Sequence, residues 1–183
     1  TLDAPEKIAD FDDLDKLTIR TDMKTPQGTI KEVLSYYNGG DTEIYFYEIN
    51  MVDDNVTMGY YTDVTEGKSV SYNCGWGDYQ TVDGIMDGMS DEEWQRMNFA
   101  YLGINPENDK TVIEYVKCED EVFEGKDCYV YTVKYEEDPE MEEEVSDSTI
   151  WVDKETGLWL KSSFTIDGEE ITRTITSVEE SVS

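Results

Sequence analysis

The stretch that decides the fold is Asp147–Val178, with the sequence DSTIWVDKETGLWLKSSFTIDGEEITRTITSV. Apolar and polar residues alternate over 158–166, which is the two-residue period of a strand with one buried face. The alternation places Leu158, Leu160, Phe164 and Ile166 on one face and Trp159, Lys161, Ser163 and Thr165 on the other. Asp167-Gly168 predicts a two-residue hairpin turn, because glycine accepts the positive φ of a primed turn. The stretch therefore predicts three consecutive antiparallel strands.

The same period recurs upstream, between short turns that contain glycine, proline or asparagine. It predicts strands at 17–25, 29–37, 43–49, 56–62, 69–73, 111–117 and 129–135. Short connections of this kind join neighbouring antiparallel strands, since parallel strands need a long crossover.

Two helices interrupt the strands. Ser90-Asp91-Glu92-Glu93 is a capping box, in which Ser90 caps the helix and Glu93 reaches back. It starts a helix predicted over 90–102, which Gly103 ends. A second, short helix is predicted over 4–11, after Asp3 as cap.

These elements predict an α+β chain with about ten antiparallel strands and no linker, so residues 1–183 form a single domain. So many consecutive strands in one sheet must curl, which leaves a concave face to be covered. We expect the helix at 90–102 to pack on that concave face.

Composition excludes several functions. Forty-four acidic residues against 14 basic ones give a net charge of −30, which repels nucleic acid phosphates and anionic lipid headgroups. The chain has no histidine, so Ser-His-Asp and Cys-His machinery and most catalytic zinc sites are excluded. We predict a non-enzymatic protein without cofactor or metal, and neither nucleic acid nor the membrane surface as partner.

Two segments carry a resemblance. Trp151–Lys161, WVDKETGLWLK, resembles the W-I-D-x-x-T-G-L-P-L-K element of LolA/LolB-type lipoprotein carriers and their relatives. That group includes the RseB sensor domain and many lipoproteins of Gram-positive bacteria. Val122–Val130, VFEGKDCYV, is similar to the hairpin that precedes this element in the group.

The resemblance implies an unclosed, strongly curved β half-barrel with helices in its mouth and an apolar cavity between them. It also implies an extracytoplasmic protein of the cell envelope, held by a lipid anchor outside this chain and otherwise monomeric. The chain starts at Thr1, which is compatible with a removed export signal and equally with a trimmed start.

Aromatic and methionine side chains are the candidate lining of that cavity, because such residues fit acyl chains of varied shape. The candidate ligand-binding residues are Tyr45, Tyr47, Met58, Tyr60, Trp76, Trp94, Met97 and Phe99. The alternative is that these residues are simply the core, filled by the helix.

Cys118 and Cys128 are candidates for a disulfide across the turn at Gly125. A two-residue turn would put the two thiols on opposite faces, whereas a three-residue turn would put them on one face, diagonally. The acidic run 136–147 lacks the glycine and the spacing of a calcium loop and is predicted to be a solvated loop.

The leading functional prediction is an exported domain that binds a hydrophobic ligand (an acyl chain, a lipid or a lipoprotein) in a half-barrel cavity. The alternative is a protein-interaction or sensor domain of an envelope stress or sporulation system, with a filled core.

Overall fold

The fold comes from a computed structural model that describes residues 14–53, 56–73, 78–81 and 89–182. The predicted N-terminal helix, together with Cys74 and Trp76, lies outside these described residues.

Twelve strands and two helical segments follow one another in the described residues. The strands are β1 Leu14–Thr25, β2 Gly28–Asn38, β3 Glu43–Met51, β4 Val56–Asp63, β5 Lys68–Asn73, β6 Asp78–Thr81, β7 Val112–Lys117, β8 Glu121–Phe123, β9 Lys126–Tyr135, β10 Ser148–Asp153, β11 Trp159–Ile166 and β12 Glu169–Val182. The helix α1 spans Asp91–Ala100, and a single 3-10 turn spans Pro106–Asn108.

All twelve strands belong to one antiparallel sheet, in the order β6-β5-β4-β3-β2-β1-β12-β11-β10-β9-β7, with β8 paired to β9. The sheet is open and curled, as predicted, and carries one α-helix in the described residues. The last strand, β12, lies beside the first, and this contact joins the two halves of the chain. Within the described part, no helix has the length and apolar composition needed to cross a membrane.

The predicted hairpin at Asp167-Gly168 is confirmed. Both residues have positive φ, 50° and 81°, and the turn pairs Ile166 with Glu169. These are the dihedral signs of a primed two-residue turn, whose twist matches that of the strands on either side.

The predicted face of Trp159 is wrong. The pairing of β10 with β11 shifts between Trp151, which lies opposite Lys161, and Val152, which lies opposite Trp159. A bulge of this kind breaks the alternation of faces. Trp159 is only 4% exposed and packs with Val112 and Val133, whereas unbroken alternation would place it on the same face as Lys161.

The capping box of α1 is present as predicted. The Glu93 N–H donates to the Ser90 hydroxyl and the Ser90 N–H donates to the Glu93 carboxylate, both at 3.2 Å. The helix ends at Ala100, two residues before the predicted end. Gly103 follows with φ 88°, and a side chain there would collide with the Trp159 ring.

The largest cluster of buried apolar residues lies under α1. It joins β1, β2, β3, β9 and β11 with the helix and with the segment after it. Its members are Leu14, Leu17, Ile19, Leu34, Tyr36, Tyr45, Tyr47, Phe99, Leu102, Ile104, Cys128, Leu158 and Leu160. We call the sheet face that contacts α1 the inner face.

Candidate binding cleft

Five of the predicted ligand-binding residues pack against one another where α1 meets β3 and β4. The Trp94 ring contacts Tyr47 edge-on at 5.7 Å between centroids and Tyr60 at 5.0 Å. The Phe99 ring lies 6.1 Å from that of Tyr45, and both side chains are fully buried. The helix thus fills this part of the inner face, which is the alternative that the sequence left open.

The remaining three candidates lie apart from these contacts or outside the described residues. Met58 and Met97 are half-buried, and Trp76 lies outside the described residues. None of the seven described candidates lines the cleft described below.

The predicted disulfide is absent from the structure. Cys118 is an exposed free thiol and Cys128 a buried one. The turn at Glu124-Gly125 is the two-residue form, pairing Phe123 with Lys126, but the register of pairing with β9 shifts between β8 and β7. The two thiols contact different residues of β9: Cys118 Sγ lies 3.6 Å from Thr132 Oγ1, and Cys128 Sγ lies 3.5 Å from the Lys126 carbonyl oxygen. Burial raises the pKa of the Cys128 thiol, so this thiol stays protonated.

A cleft of about 940 Å³ opens elsewhere, on the β9–β12 side of the sheet. Its floor comes from these strands, one wall from the segment after α1, and the other wall from the loop 136–147. We call this space the cleft and the loop the acidic loop.

The floor is a row of side chains that run across neighbouring strands. Ile150 on β10 pairs with Ser162 on β11, which pairs with Arg173 on β12. Phe164 lies two residues after Ser162 and therefore on the same face. A serine between larger side chains leaves space in the middle of the floor.

Aromatic rings form the end of the cleft near α1. Tyr101 follows the last residue of the helix, and Tyr135 and Trp159 come from β9 and β11. Burial, followed by the charge of Asp109, raises the pKa of Tyr101. Burial raises the pKa of Tyr135 to about 12. Both phenols are therefore neutral at physiological pH and add no charge to the cleft.

Arg173 is the basic residue of the floor, and a buried carboxylate neutralises it. Its Nε donates to Glu32 Oε1 at 2.7 Å, and Glu32 also accepts hydrogen bonds from Tyr47 and, at 2.9 Å, from Thr21. Burial alone would raise the pKa of Glu32, but Arg173 and these donors outweigh it and hold the pKa below its usual value. The pair is therefore charged at neutral pH.

The acidic loop is fixed at both ends. The Glu136 N–H donates to the Thr111 carbonyl at 2.7 Å, next to the end of β9. At the other end Val145 bridges to Ile166, and Glu144 exchanges hydrogen bonds with Asp167 at 2.7 and 2.8 Å. This anchoring holds the loop as a wall of the cleft.

The sequence predicted that residues 136–147 form a loop, but not that this loop forms a wall of the cleft. Its composition predicted a solvated loop, and most of its residues are exposed. The signal that could have indicated a wall is the pair Met141 and Val145, two apolar residues among acids, which line the cleft and are 54% and 41% exposed.

The cleft is suited to binding. It combines apolar floor residues with a polar rim, which is the usual composition of ligand pockets. In the described part of the chain, no three acidic or cysteine side chains are arranged to hold a metal ion.

Comparison with known proteins gives structural similarity only. No family model matches the chain, and no curated protein matches it. A crystal structure of a DUF1329 family protein from Desulfovibrio piger is 12% identical, over 94% of this chain and 88% of that one, with a TM-score of 0.41.

Two structures of MucB are also similar. MucB in complex with MucA(peri) is 11% identical, over 94% of this chain and 52% of that one, with a TM-score of 0.36. The Pseudomonas aeruginosa MucA/MucB complex is 12% identical, over 96% and 55%, with a TM-score of 0.38. The chain thus spans about half the length of those chains. Similarity at this level assigns neither a family nor a function.

Proposed function

We propose that the chain is a non-enzymatic binding domain that takes an apolar ligand, such as an acyl chain, in the cleft. The observation that carries the proposal is the cleft itself, about 940 Å³ with Ile150, Phe164 and Trp159 among its lining. Small-molecule pockets have roughly 300–1,000 Å³ and are mostly apolar. The site thus differs from the one that the sequence predicted, but the class of ligand is the same.

The cell envelope is the location that we propose, with the ligand supplied as a lipid or as the acyl chain of a lipoprotein. The support is the resemblance of Trp151–Lys161 to the element found in lipoprotein carriers. On this proposal the chain is a monomer, and any membrane association comes from a lipid anchor outside it.

A second candidate function is a protein-interaction domain of an envelope stress or sporulation system. Exposed apolar side chains on β7, β8 and β9 favour it: Ile113 is 60% exposed, Val122 67% and Tyr129 39%. Large apolar residues at these exposures can form part of a contact surface.

Two neighbouring serines on β11 allow a matched test of the cleft. Ser162 lies on its floor, whereas Ser163 points to the opposite face of the same strand. Ser162→Phe should fill the cleft and weaken binding of a neutral decyl amphiphile by about tenfold or more. Ser163→Phe should leave that binding unchanged, because its ring lies outside the cleft.

Isothermal titration below the micelle concentration measures this binding, and circular dichroism verifies that both variants are folded. Lengthening the alkyl chain should strengthen binding by about 0.8 kcal/mol per buried methylene. Absence of saturable binding to the unaltered protein, or equal weakening in the two variants, would contradict the proposal.

A further inference from the structure

The cleft concentrates negative charge beside its apolar floor. Six acidic residues of the acidic loop line it, and Asp109 lies on the wall after α1. The six are Glu136, Glu137, Asp138, Glu143, Glu144 and Asp147.

None of these seven carboxylates forms an ion pair with a described lysine or arginine, although other carboxylates of the chain are paired. Arg173 is the single basic residue among the described lining residues, and Glu32 already neutralises it. The described cleft therefore carries a net negative charge at neutral pH.

The position of this charge determines which head group the cleft accepts. Consider a ligand that lays its apolar chain on the floor residues Ile150 and Phe164. Its polar end then lies at the wall formed by the acidic loop. A carboxylate or phosphate there would meet like charges, whereas a cation would meet opposite ones. Low-dielectric walls strengthen such a field, because the apolar floor screens charge less than water does.

We propose that the cleft selects apolar ligands that carry positive charge next to the chain, and discriminates against anionic lipids such as free fatty acids. This inference rests on the proposed function and names its ligand class, a cationic amphiphile. The same chemistry occurs in a free alkylammonium compound and in an acylated peptide with lysine after the acyl group.

The first measurement compares three decyl amphiphiles of equal chain length by titration: decyltrimethylammonium, decyl maltoside and decanoate. We expect the cation to bind most tightly and the anion most weakly. One close contact between charges should change the affinity by about fivefold relative to the neutral decyl maltoside. Added salt should reduce the difference between cation and anion, because the rim is open to solvent.

Variants of the acidic loop test where the charge acts. Glu137→Gln with Glu143→Gln removes two charges that line the cleft. Glu140→Gln with Glu142→Gln removes two charges from the same loop that do not line it. The first pair should lower the affinity for decyltrimethylammonium by about fivefold or more, and the second pair by less. Neither pair should change the affinity for decyl maltoside.

Two acylated dipeptides distinguish the sources of the ligand. Decanoyl-Lys-Lys amide should bind more tightly than decanoyl-Glu-Glu amide. If decanoyl-Lys-Lys amide binds more tightly than decyltrimethylammonium, an acylated peptide is the better source; the reverse order favours a free amphiphile.

Different results would overturn the proposed function, an apolar ligand in the cleft, and the inferred preference for a cationic head group. If decyl maltoside binds and Ser162→Phe weakens it, but the cation binds no better than decanoate, the charge inference is overturned and the proposed function stands. If no decyl compound binds, the proposed function fails as well.

Discussion

Replacing Arg173 with methionine should lower the free energy of unfolding at neutral pH by about 3–5 kcal/mol. The change removes the partner of Glu32, a carboxylate that is 2% exposed and accepts the Arg173 Nε at 2.7 Å. A buried carboxylate that has lost its cation still pays the full desolvation free energy, with no attraction to offset it. Breaking such a pair therefore lowers stability by more than the intact pair adds to it. Urea unfolding followed by tryptophan fluorescence measures the loss.

The loss should depend on pH in a defined direction. In the unaltered protein the pKa of Glu32 lies below its usual value, so its contribution is present above the unfolded pKa and is lost as pH falls through the folded pKa. Without Arg173, burial instead raises the pKa of Glu32, so the cost grows as pH rises above the unfolded value. The difference between variant and unaltered protein should therefore be smaller at pH 5 than at pH 8.

Arg20→Met is the matched control, because Arg20 is an exposed arginine on β1. This substitution also removes one positive charge, but it leaves no buried carboxylate without its partner. It should lower the free energy of unfolding by less than about 1 kcal/mol. An equal loss in both variants, or a loss in Arg173→Met that does not change with pH, would show that the ion pair is not buried as described.

Phe99→Ala should lower the free energy of unfolding by about 3–5 kcal/mol. The Phe99 side chain is fully buried between α1 and β3, in edge contact with Tyr45. Its removal leaves a cavity that the sheet cannot close, since Tyr45 is held by the Arg96 Nε at 2.8 Å. Thermal or urea unfolding measures the effect.

Met97→Ala, two residues earlier on α1, is the control for helix propensity. Met97 is half-buried, so the substitution should cost clearly less than Phe99→Ala. If the two substitutions cost the same small amount, α1 does not pack on the inner face as the structure shows.

The strands and turns could be predicted because their signals are local. Asp167-Gly168 specifies a primed turn, and the alternation in 17–25 places Leu17, Ile19 and Thr21 on the buried face. The face of Trp159 was not predictable, because a bulge against β10 interrupts the alternation, and a bulge depends on the partner strand. The pairing of β1 with β12 is equally non-local.

The cleft was beyond sequence analysis for the same reason. Ile150, Ser162 and Arg173 form one row only because β10, β11 and β12 pair in this register. The aromatic residues of β3 and β4 were the stronger sequence signal for a pocket, but α1 covers them. A wall built by an acidic loop gives no periodic pattern, so composition alone indicated solvent exposure.

Photo-crosslinking with a cationic decyl probe that carries a diazirine on its chain tests the central claim, a ligand in the cleft, most directly. After digestion and mass spectrometry, we predict labelled residues within 101–111 and 135–164, the segments that form the cleft. Excess decyltrimethylammonium should suppress this labelling. Labels concentrated on β3, β4 and α1, or spread over the surface and insensitive to the competitor, would contradict it.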